Sequence, residues 1–408
     1  MWPAGPMLGR FLTGKAELNP TDATTAARRS RVPAEAGNAT GGCFASTLET
    51  GEGYRAPAVT AVPCRVPDAR AAIGRSYPRT GIWCELRGAL ARNTHTGAQT
   101  IMAITDTVNL EINSSTQKVC MCAERTGLPP LLIVQAGPGL PLLHEMRKFQ
   151  RRLQLEKDFL VSYWEQRGCG NASQQDAKSV SLLQQIDDLC AILRWLHHET
   201  KHTVIVFGIS LGATIALRAA ENEPDKVKSV IAISPDANTA GSDASVYSFL
   251  QDQSVLLRGS RLSGRVKKLG MPPYTDSTAF QGRASLLADL GTIEQGKNFN
   301  AILRETLFAM IRTYGLFGTA KALRNMSLIQ RQLLPELVSI DLFANPPRLA
   351  VPVHYVFGEK DALTPSAIVK RLPAVTEAPA CTAILVPKAG HMVHFDQPEI
   401  VRSIAVSA

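Results

Sequence analysis

The pentapeptide at residues 208–212 holds the side chain with the clearest chemical potential in this chain. It reads Gly-Ile-Ser-Leu-Gly, with Ser210 at its centre. It follows an apolar run at residues 203–207 and opens a segment of small residues at 211–220. On a tight strand-to-helix turn between two glycines, a serine projects its hydroxyl above the sheet, where it can attack a carbonyl carbon. The pattern therefore predicts a nucleophilic serine.

A serine hydroxyl needs a base to take its proton, and the base needs a carboxylate to orient it. After Ser210 in the chain, Asp361 follows one strand-like run and His391 follows the next. Sites form at the carboxyl ends of parallel strands, so we expect His391 as base and Asp361 as its orienting acid. Glu359 and His394 are the nearby rivals. The simpler alternatives are a helix-capping role for Asp361 and a solvated turn position for His391.

Acyl transfer passes through an oxyanion that needs preorganised N–H donors. One donor should be the N–H of Leu211, directly after the nucleophile. The other should come from the loop at residues 135–139, which follows the buried apolar run Pro130–Val134. A plain Pro-Gly turn is the structural alternative for this loop.

A second loop, at residues 164–170, reads Trp-Glu-Gln-Arg-Gly-Cys-Gly after another strand-like run. We expect it to buttress the oxyanion loop, with Arg167 as the suggested contact. Taken alone, it would be a loop with glycines and a solvated charge pair. The residues predicted to support the site are Gln135, Ala136, Trp164, Glu165 and Arg167.

The elements that must hold these residues alternate between strand and helix. Apolar residues recur at helical spacing over 181–198, and further helices are expected at 211–220, at 366–372 and from Pro398. The alternation predicts an α/β fold with a mostly parallel sheet. The predicted strands are 107–112, 117–123, 130–134, 159–163, 203–207, 227–233, 351–358 and 381–386.

The alternation is interrupted at residues 240–345. This block has helical stretches at 301–314 and 326–337 and no strong strand. We therefore predict about a hundred helical residues inserted between the sixth and seventh strands. The core would then comprise residues 102–239 and 346–408.

Residues 1–101 differ from the rest of the chain. They are rich in Ala, Arg, Gly, Pro and Thr, show no sustained period, and hold seven acidic residues, unlike a transit peptide. We interpret them as a low-order extension, and favour an over-long gene model, since Met102 opens a natural domain start. They carry more than half of the net charge of +9, so the remaining 307 residues are only weakly basic.

Composition excludes several functional classes. The weakly basic domain and the lack of any nucleic-acid motif argue against nucleic-acid binding. The sequence has no apolar run of about 18 residues, so no membrane helix is predicted. No GxGxxG or Walker lysine implies a nucleotide cofactor. None of the eight cysteines forms a CxxC pair, so zinc is not expected. Free buried thiols favour a reducing compartment, and we predict the cytoplasm.

Residues 102–408 resemble the α/β-hydrolase superfamily, and more narrowly its proline iminopeptidase branch of serine peptidases. Residues 135–139, Gln-Ala-Gly-Pro-Gly, resemble that branch's His-Gly-Gly-Pro-Gly. Residues 164–170 resemble its Trp-Asp-Gln-Arg-Gly-Cys-Gly, and residues 208–212 its Gly-Gly-Ser-Trp-Gly. Gln135, Ala136 and Leu211 are the departures, although Leu211 keeps the backbone N–H that the chemistry needs.

The resemblance implies an eight-stranded α/β-hydrolase sheet, a helical cap at 240–345, and a triad of Ser210, Asp361 and His391. It also implies an oxyanion hole formed by Leu211 and Gly137, with Ala136 as the alternative to Gly137. It implies release of an N-terminal residue, often proline, from small peptides or amides. Cap carboxylates bind the substrate amine in that branch, and the available ones here are Asp289, Glu294, Glu305 and Glu336.

Two alternatives to that activity stay open. The first is a carboxylic-ester or other small-molecule hydrolase on the same framework, and the second is a non-enzymatic binding protein that retains the fold. Epoxide hydrolases and dehalogenases would want an aspartate where Ser210 stands. The partner expected is a small-molecule or short-peptide substrate, and the sequence leaves a homo-oligomer open.

Overall fold

An eight-stranded sheet runs through residues 104–408, which are the residues that the computed structural model describes. The strand order is β1-β2-β4-β3-β5-β6-β7-β8; β1–β2 and β2–β4 are antiparallel pairs and the other pairs are parallel. The mostly parallel α/β sheet predicted from the sequence is confirmed. The strands are β1 Ile104–Ile112, β2 Ser115–Ala123, β3 Pro130–Val134, β4 Leu160–Glu165, β5 Val204–Ile209, β6 Val227–Ile233, β7 Val353–Gly358 and β8 Cys381–Val386.

Helices cover both faces of this sheet. They are α1 Met146–Leu153, α2 Gln174–Lys178, α3 Leu182–Thr200, α4 Leu211–Asn222, α5 Thr239–Leu256, α6 Arg261–Leu269, α7 Ser277–Asp289, α8 Phe299–Leu337, α9 Ser366–Val369, α10 Val393–Asp396 and α11 Pro398–Ser407. Short 3₁₀ turns lie at Leu155–Lys157 and Leu372–Ala374.

The two faces of β3 explain why its sequence is continuously apolar. Leu132 and Val134 pack into the core under α3 and α4, whereas Leu131 and Ile133 pack into the core under α1 and α11. Successive strand residues point to opposite faces, so a strand covered on both sides needs apolar residues at every position.

The helical insertion, defined as residues 239–337, lies in the chain between β6 and β7 and comprises α5 to α8. Each of its helices begins at a polar residue whose side chain accepts a hydrogen bond from a backbone N–H of the first turn, which satisfies one of the unpaired donors there. These residues are Asn238, Ser260, Asp276 and Asn298.

Three predicted helices differ from the structure. The stretches predicted at 301–314 and 326–337 belong to the one element α8, which bends at Gly315, where the backbone has φ 70° and ψ 176°. Glycine tolerates this positive φ because it has no Cβ. The helix predicted at 366–372 ends at Val369.

Within residues 104–408, no helix is long and apolar enough to cross a bilayer. The predictions for residues 1–101 lie outside the residues that the structure describes.

Candidate active site

Ser210 occupies the sharp turn between β5 and α4, as its sequence predicts. Its backbone has φ 53° and ψ −123°, a positive φ that is strained for a residue with a side chain. A Cβ on Gly208 would lie 2.5 Å from Ala213 Cα, and one on Gly212 would lie 2.2 Å from the Gln135 carbonyl oxygen. Only glycine permits both approaches, so these two residues allow the turn to form.

His391 and Asp361 lie on the loops that follow β8 and β7, which are neighbouring strands. His391 Nδ1 is 2.9 Å from Asp361 Oδ2, and both residues are buried. Since Nδ1 faces the carboxylate, Nε2 is the ring nitrogen left for Ser210. The Ser210 Oγ is itself buried and has no hydrogen-bond partner among the described residues. The hydrogen bond between a nucleophile and its base is often long without substrate and shortens only when substrate binds.

Thr364, which the sequence reasoning missed, also contacts this pair. Its hydroxyl donates a 2.6 Å hydrogen bond to Asp361 Oδ2 and lies 3.3 Å from His391 Nδ1. Asp361 Oδ1 accepts from the backbone N–H groups of Leu363 and Thr364 at 2.8 and 2.9 Å. Asp361 therefore caps the turn that follows it and also holds His391, so the two interpretations of this residue are compatible.

The charge on Asp361 is held in place by these contacts. Burial alone would raise the pKa of its carboxyl, but His391 and the hydrogen bonds from Thr364 outweigh burial and lower the pKa below its usual value. Asp361 is thus placed to stay ionised beside the imidazole.

The two rivals occupy different surroundings. Glu359 is exposed and accepts a 3.0 Å hydrogen bond from the backbone N–H of Lys388. His394 is buried and stacks on Phe149, with ring centroids 5.1 Å apart and an interplanar angle of 14°. Burial lowers the pKa of His394 well below its usual value, so this ring is a neutral part of the core.

The oxyanion loop lies against the start of α4. Leu211 is the first residue of α4, and the first N–H groups of a helix have no partner within the helix. A Cβ on Gly137 would lie 2.8 Å from Leu211 Cδ2, so the loop and the helix start are in direct contact. Gly137, Ala136 and Ser210 line one pocket. Both expected donors, and the alternative at Ala136, are therefore brought to the serine.

The loop at residues 164–170 holds the segment that follows the oxyanion loop, at Leu142 and Leu143. The residue that makes these contacts is Glu165 and not Arg167. Glu165 Oε1 accepts from the N–H groups of Leu142 and Leu143 at 3.0 and 3.4 Å, and from the Tyr314 hydroxyl at 2.6 Å. Burial raises the pKa of Glu165 against these hydrogen bonds. In addition, Gln135 Oε1 accepts a 3.4 Å hydrogen bond from the N–H of Gln166.

Arg167 has different partners from those we expected. Its guanidinium forms a buried ion pair with Asp188, with Nε 2.8 Å from Oδ2, and donates to the carbonyls of Ile112 and Asn113. Trp164 joins the same network, because its indole N–H donates to Gln117 Oε1 at 2.8 Å and Gln117 in turn donates to Asp188. Both residues therefore fasten the β1–β2 turn to the sheet.

An apolar pocket of about 440 Å³, its open mouth included, lies over Ser210 and His391. The helical insertion supplies one wall and the oxyanion loop the other. The apolar lining residues from the insertion are Ala284, Ala288, Ile293, Phe299 and Ile302. The pocket thus suits a small apolar part of a substrate.

The four carboxylates that the resemblance put forward for binding an amine are already engaged. Glu294 is buried between Lys148 and Lys297, each 2.8 Å away, and Glu305 forms ion pairs with the same two lysines. The other two also have partners: Asp289 pairs with Arg265 and accepts from a backbone N–H, and Glu336 accepts from the N–H of Leu182.

The described part of the chain holds no group of three or more His, Cys, Asp or Glu side chains that could bind a metal ion. Its cysteines are free, and all but Cys381 are buried.

Comparison with known proteins decides the family. Residues 129–398 match the family model for the α/β-hydrolase fold. The chain belongs to the α/β-hydrolase family. Membership makes it a hydrolytic enzyme of this fold. It is similar to a probable aminopeptidase, YbaC, of Bacillus subtilis (strain 168), with 25% identity over 296 residues that cover 71% of this chain and 92% of that protein.

Solved structures agree on the fold of this α/β hydrolase. A proline iminopeptidase-related protein from Thermus thermophilus superposes with a TM-score of 0.50 at 16% identity, covering 74% of this chain and 96% of that one. MGS-M2, an α/β hydrolase from a Medee basin deep-sea metagenome library, gives 0.51 at 14% identity, covering 74% and 96%.

Proposed function

We propose that this chain is a serine hydrolase that cleaves a small amide or ester through an acyl-enzyme on Ser210. The observation that carries the proposal is the buried pair of His391 and Asp361, 2.9 Å apart, whose histidine lines the same pocket as the strained Ser210. A nucleophile, an orienting acid and a base, in that order along the chain, are the parts that acyl transfer requires on this fold.

In the first half-reaction, Ser210 Oγ bonds to the substrate carbonyl carbon while His391 Nε2 takes the hydroxyl proton. The oxyanion accepts hydrogen bonds from the N–H of Leu211 and from the oxyanion loop at Gly137 or Ala136. His391 then gives its proton to the leaving amine or alcohol as the carbonyl–leaving-group bond breaks. Water, deprotonated by His391, attacks the acyl-enzyme, and Ser210 regains its proton.

The helical insertion would act as a cap that selects the substrate. Its apolar residues line the pocket over Ser210, so they would contact the group next to the scissile bond. Excluding water from that space strengthens the hydrogen bonds that stabilise the oxyanion.

Two substrate classes follow from different observations. Release of an N-terminal residue, often proline, from small peptides or amides is supported by the likeness to a probable aminopeptidase. Hydrolysis of a carboxylic ester is the second candidate, supported by the apolar pocket and by the four insertion carboxylates that already have partners.

The test compares kcat/KM of the full chain for proline 4-nitroanilide and for 4-nitrophenyl butanoate. Ser210→Ala should lower both by about 10⁵-fold or more if the acyl-enzyme proposal holds. Full activity in Ser210→Ala would overturn it. A higher value for the anilide would favour the aminopeptidase, and a value higher by orders of magnitude for the ester would favour the esterase.

A further inference from the structure

A second pocket lies against the oxyanion loop at Gly137 and Pro138 and, unlike the first, has charged side chains among its lining residues. It has about 330 Å³, its open mouth included, and shares Gly137 and Leu363 with the pocket of Ser210. Its charged lining residues are Asp236, Asp243 and Arg283. A substrate whose carbonyl meets Ser210 therefore has a second pocket beside it at Gly137, with charged groups in its lining.

Two of these three charges are committed to each other. Arg283 and Asp243 are 4% and 2% exposed and form a buried ion pair. The guanidinium also lies over the rings of Phe280 and Tyr274, at 4.7 and 5.5 Å from their centroids. The Arg283 Nε–H nevertheless has no hydrogen-bond partner among residues 104–408. A buried donor in this state favours a ligand oxygen.

Asp236, on the loop after β6, is the third charged residue and lies outside the ion pair of Arg283 and Asp243. Its backbone carbonyl accepts a 3.0 Å hydrogen bond from the Thr214 hydroxyl. Its carboxylate makes no hydrogen bond or ion pair within the described residues. Burial raises the pKa of Asp236 to about 6, although His391 and Arg283 act in the opposite direction. With Arg283 paired to Asp243, the pocket carries one uncompensated negative charge when Asp236 is ionised.

We propose that this second pocket is a subsite for an ammonium group of the substrate, with Asp236 as its counterion. The Nε–H of Arg283 donates to an oxygen near that ammonium. The substrate is then an amide or ester that joins an apolar group, held over Ser210, to a group that carries a cation. This inference rests on the proposed function, because the same substrate occupies both pockets.

The ammonium can belong either to the acyl group or to the leaving group of the substrate. Two pairs of substrates distinguish these two positions. Proline 4-nitroanilide and cyclopentanecarboxylic 4-nitroanilide differ by a cation in the acyl group. The 2-(trimethylammonio)ethyl and 3,3-dimethylbutyl esters of butanoic acid differ by a cation in the leaving group. In each pair the measured quantity is the ratio of kcat/KM for the cation to that for its neutral isostere.

We expect one pair to give a ratio of at least tenfold in the full chain, and Asp236→Asn to bring that ratio close to one. Asp252→Asn is the control, since Asp252 is an exposed carboxylate on α5 outside both pockets, and it should leave the ratio unchanged. A ratio near one in both pairs, or a high ratio that survives Asp236→Asn, overturns the subsite.

Failure of the proposed function gives a different result. If no substrate of either pair is cleaved in a Ser210-dependent way, the serine hydrolase proposal fails, and the subsite is then measured by binding alone. Calorimetry on Ser210→Ala compares prolinamide, a cation, with the neutral cyclopentanecarboxamide. Tighter binding of prolinamide that Asp236→Asn abolishes supports the subsite, and equal binding of the two compounds overturns it. Melting curves of each variant show that it is folded.

Discussion

The backbone N–H of His391 donates a 2.9 Å hydrogen bond to the carbonyl oxygen of Thr292, in the helical insertion. The next N–H, of Met392, donates to the carbonyl of Ile293 at 2.8 Å. Ile293 also lines the pocket over Ser210. The segment that lines the pocket is therefore fastened to the loop that carries the proposed base, and movement of one should move the other.

Asp396 strengthens this connection, so we expect it to act as a positioning residue. Its Oδ1 accepts from the N–H of Gln295 at 2.9 Å and its Oδ2 accepts from the N–H of Gly390 at 2.8 Å. In Asp396→Asn the amide NH₂ would face one of these N–H groups, so one hydrogen bond is lost. This loss should destabilise the connection by about 1–3 kcal/mol. We predict that kcat falls about tenfold or more while KM changes less, as measured by steady-state kinetics.

The control for that prediction is Glu399→Gln, a carboxylate-to-amide change at an exposed position nearby. It should leave both constants unchanged. An Asp396→Asn enzyme with wild-type kcat but a lower melting temperature would reduce Asp396 to a structural role.

Asp361 is expected to be the acid that orients His391. Asp361→Asn removes the charge that stabilises the imidazolium and should lower kcat/KM by about 10³–10⁴-fold at pH 7.5. Glu359→Gln, at the rival position, should lower it less than threefold, because Glu359 contacts the backbone of Lys388. Comparable losses in both variants would contradict the assignment.

His394→Phe tests the rival base and makes a pH prediction. The ring packs on Phe149 within the aromatic core, so phenylalanine should fit and kcat/KM should stay within about threefold. The folded state holds the pKa of His394 well below 6.5, so its contribution to stability is present above pH 6.5 and is lost as the pH falls below that value. The drop in melting temperature between pH 7.5 and 5.5 should be smaller in the variant.

Asp236→Asn should show the cost of keeping a carboxylate without a partner. Its pKa rises from 3.8 to about 6 on folding, so the folded state is penalised as the pH rises through this window and fully penalised above it. The variant should therefore be more stable than the wild type at pH 8, by up to about 3 kcal/mol, and equally stable near pH 4. Urea unfolding at both pH values measures this. A variant less stable at pH 8 would contradict it.

Gly212→Ala should disrupt the elbow itself. The added Cβ would lie 2.2 Å from the Gln135 carbonyl oxygen and 2.5 Å from that of Val134, so the oxyanion loop must shift. We expect a loss of kcat of at least 100-fold together with a lower melting temperature. Gly264→Ala is the matched control, because a Cβ there meets open space in α6, and it should stabilise the chain by about 0.5–1 kcal/mol. An active Gly212→Ala enzyme would contradict the geometry.

The fold was predictable because its elements have strong local signals. The run Pro130–Val134 is apolar at every position, as a strand buried on both faces must be, and the strand Val227–Ile233 was predicted with its observed bounds. The predicted helix 301–314 ends next to the bend at Gly315, but the helical residues between that bend and the predicted helix 326–337 were missed, because a lone glycine in a helical pattern does not by itself say whether the helix ends or continues.

The sequence by itself determined which residues could form the candidate site. The glycines around Ser210, the order of Ser210, Asp361 and His391, and the strand before each of them are all local features, and local features depend on sterics between near neighbours in the chain. They therefore predict where the nucleophile, base and acid stand along the sheet.

Only the tertiary structure decided which charges are engaged. Lys148 reaches Glu294 across 146 positions of the chain, and Arg167 turns to Asp188 rather than to the oxyanion loop. Asp236 keeps an unpaired carboxylate because Asp243 takes the neighbouring Arg283. Ion pairing depends on distance in space and on burial, and neither is written in the spacing of residues along the chain.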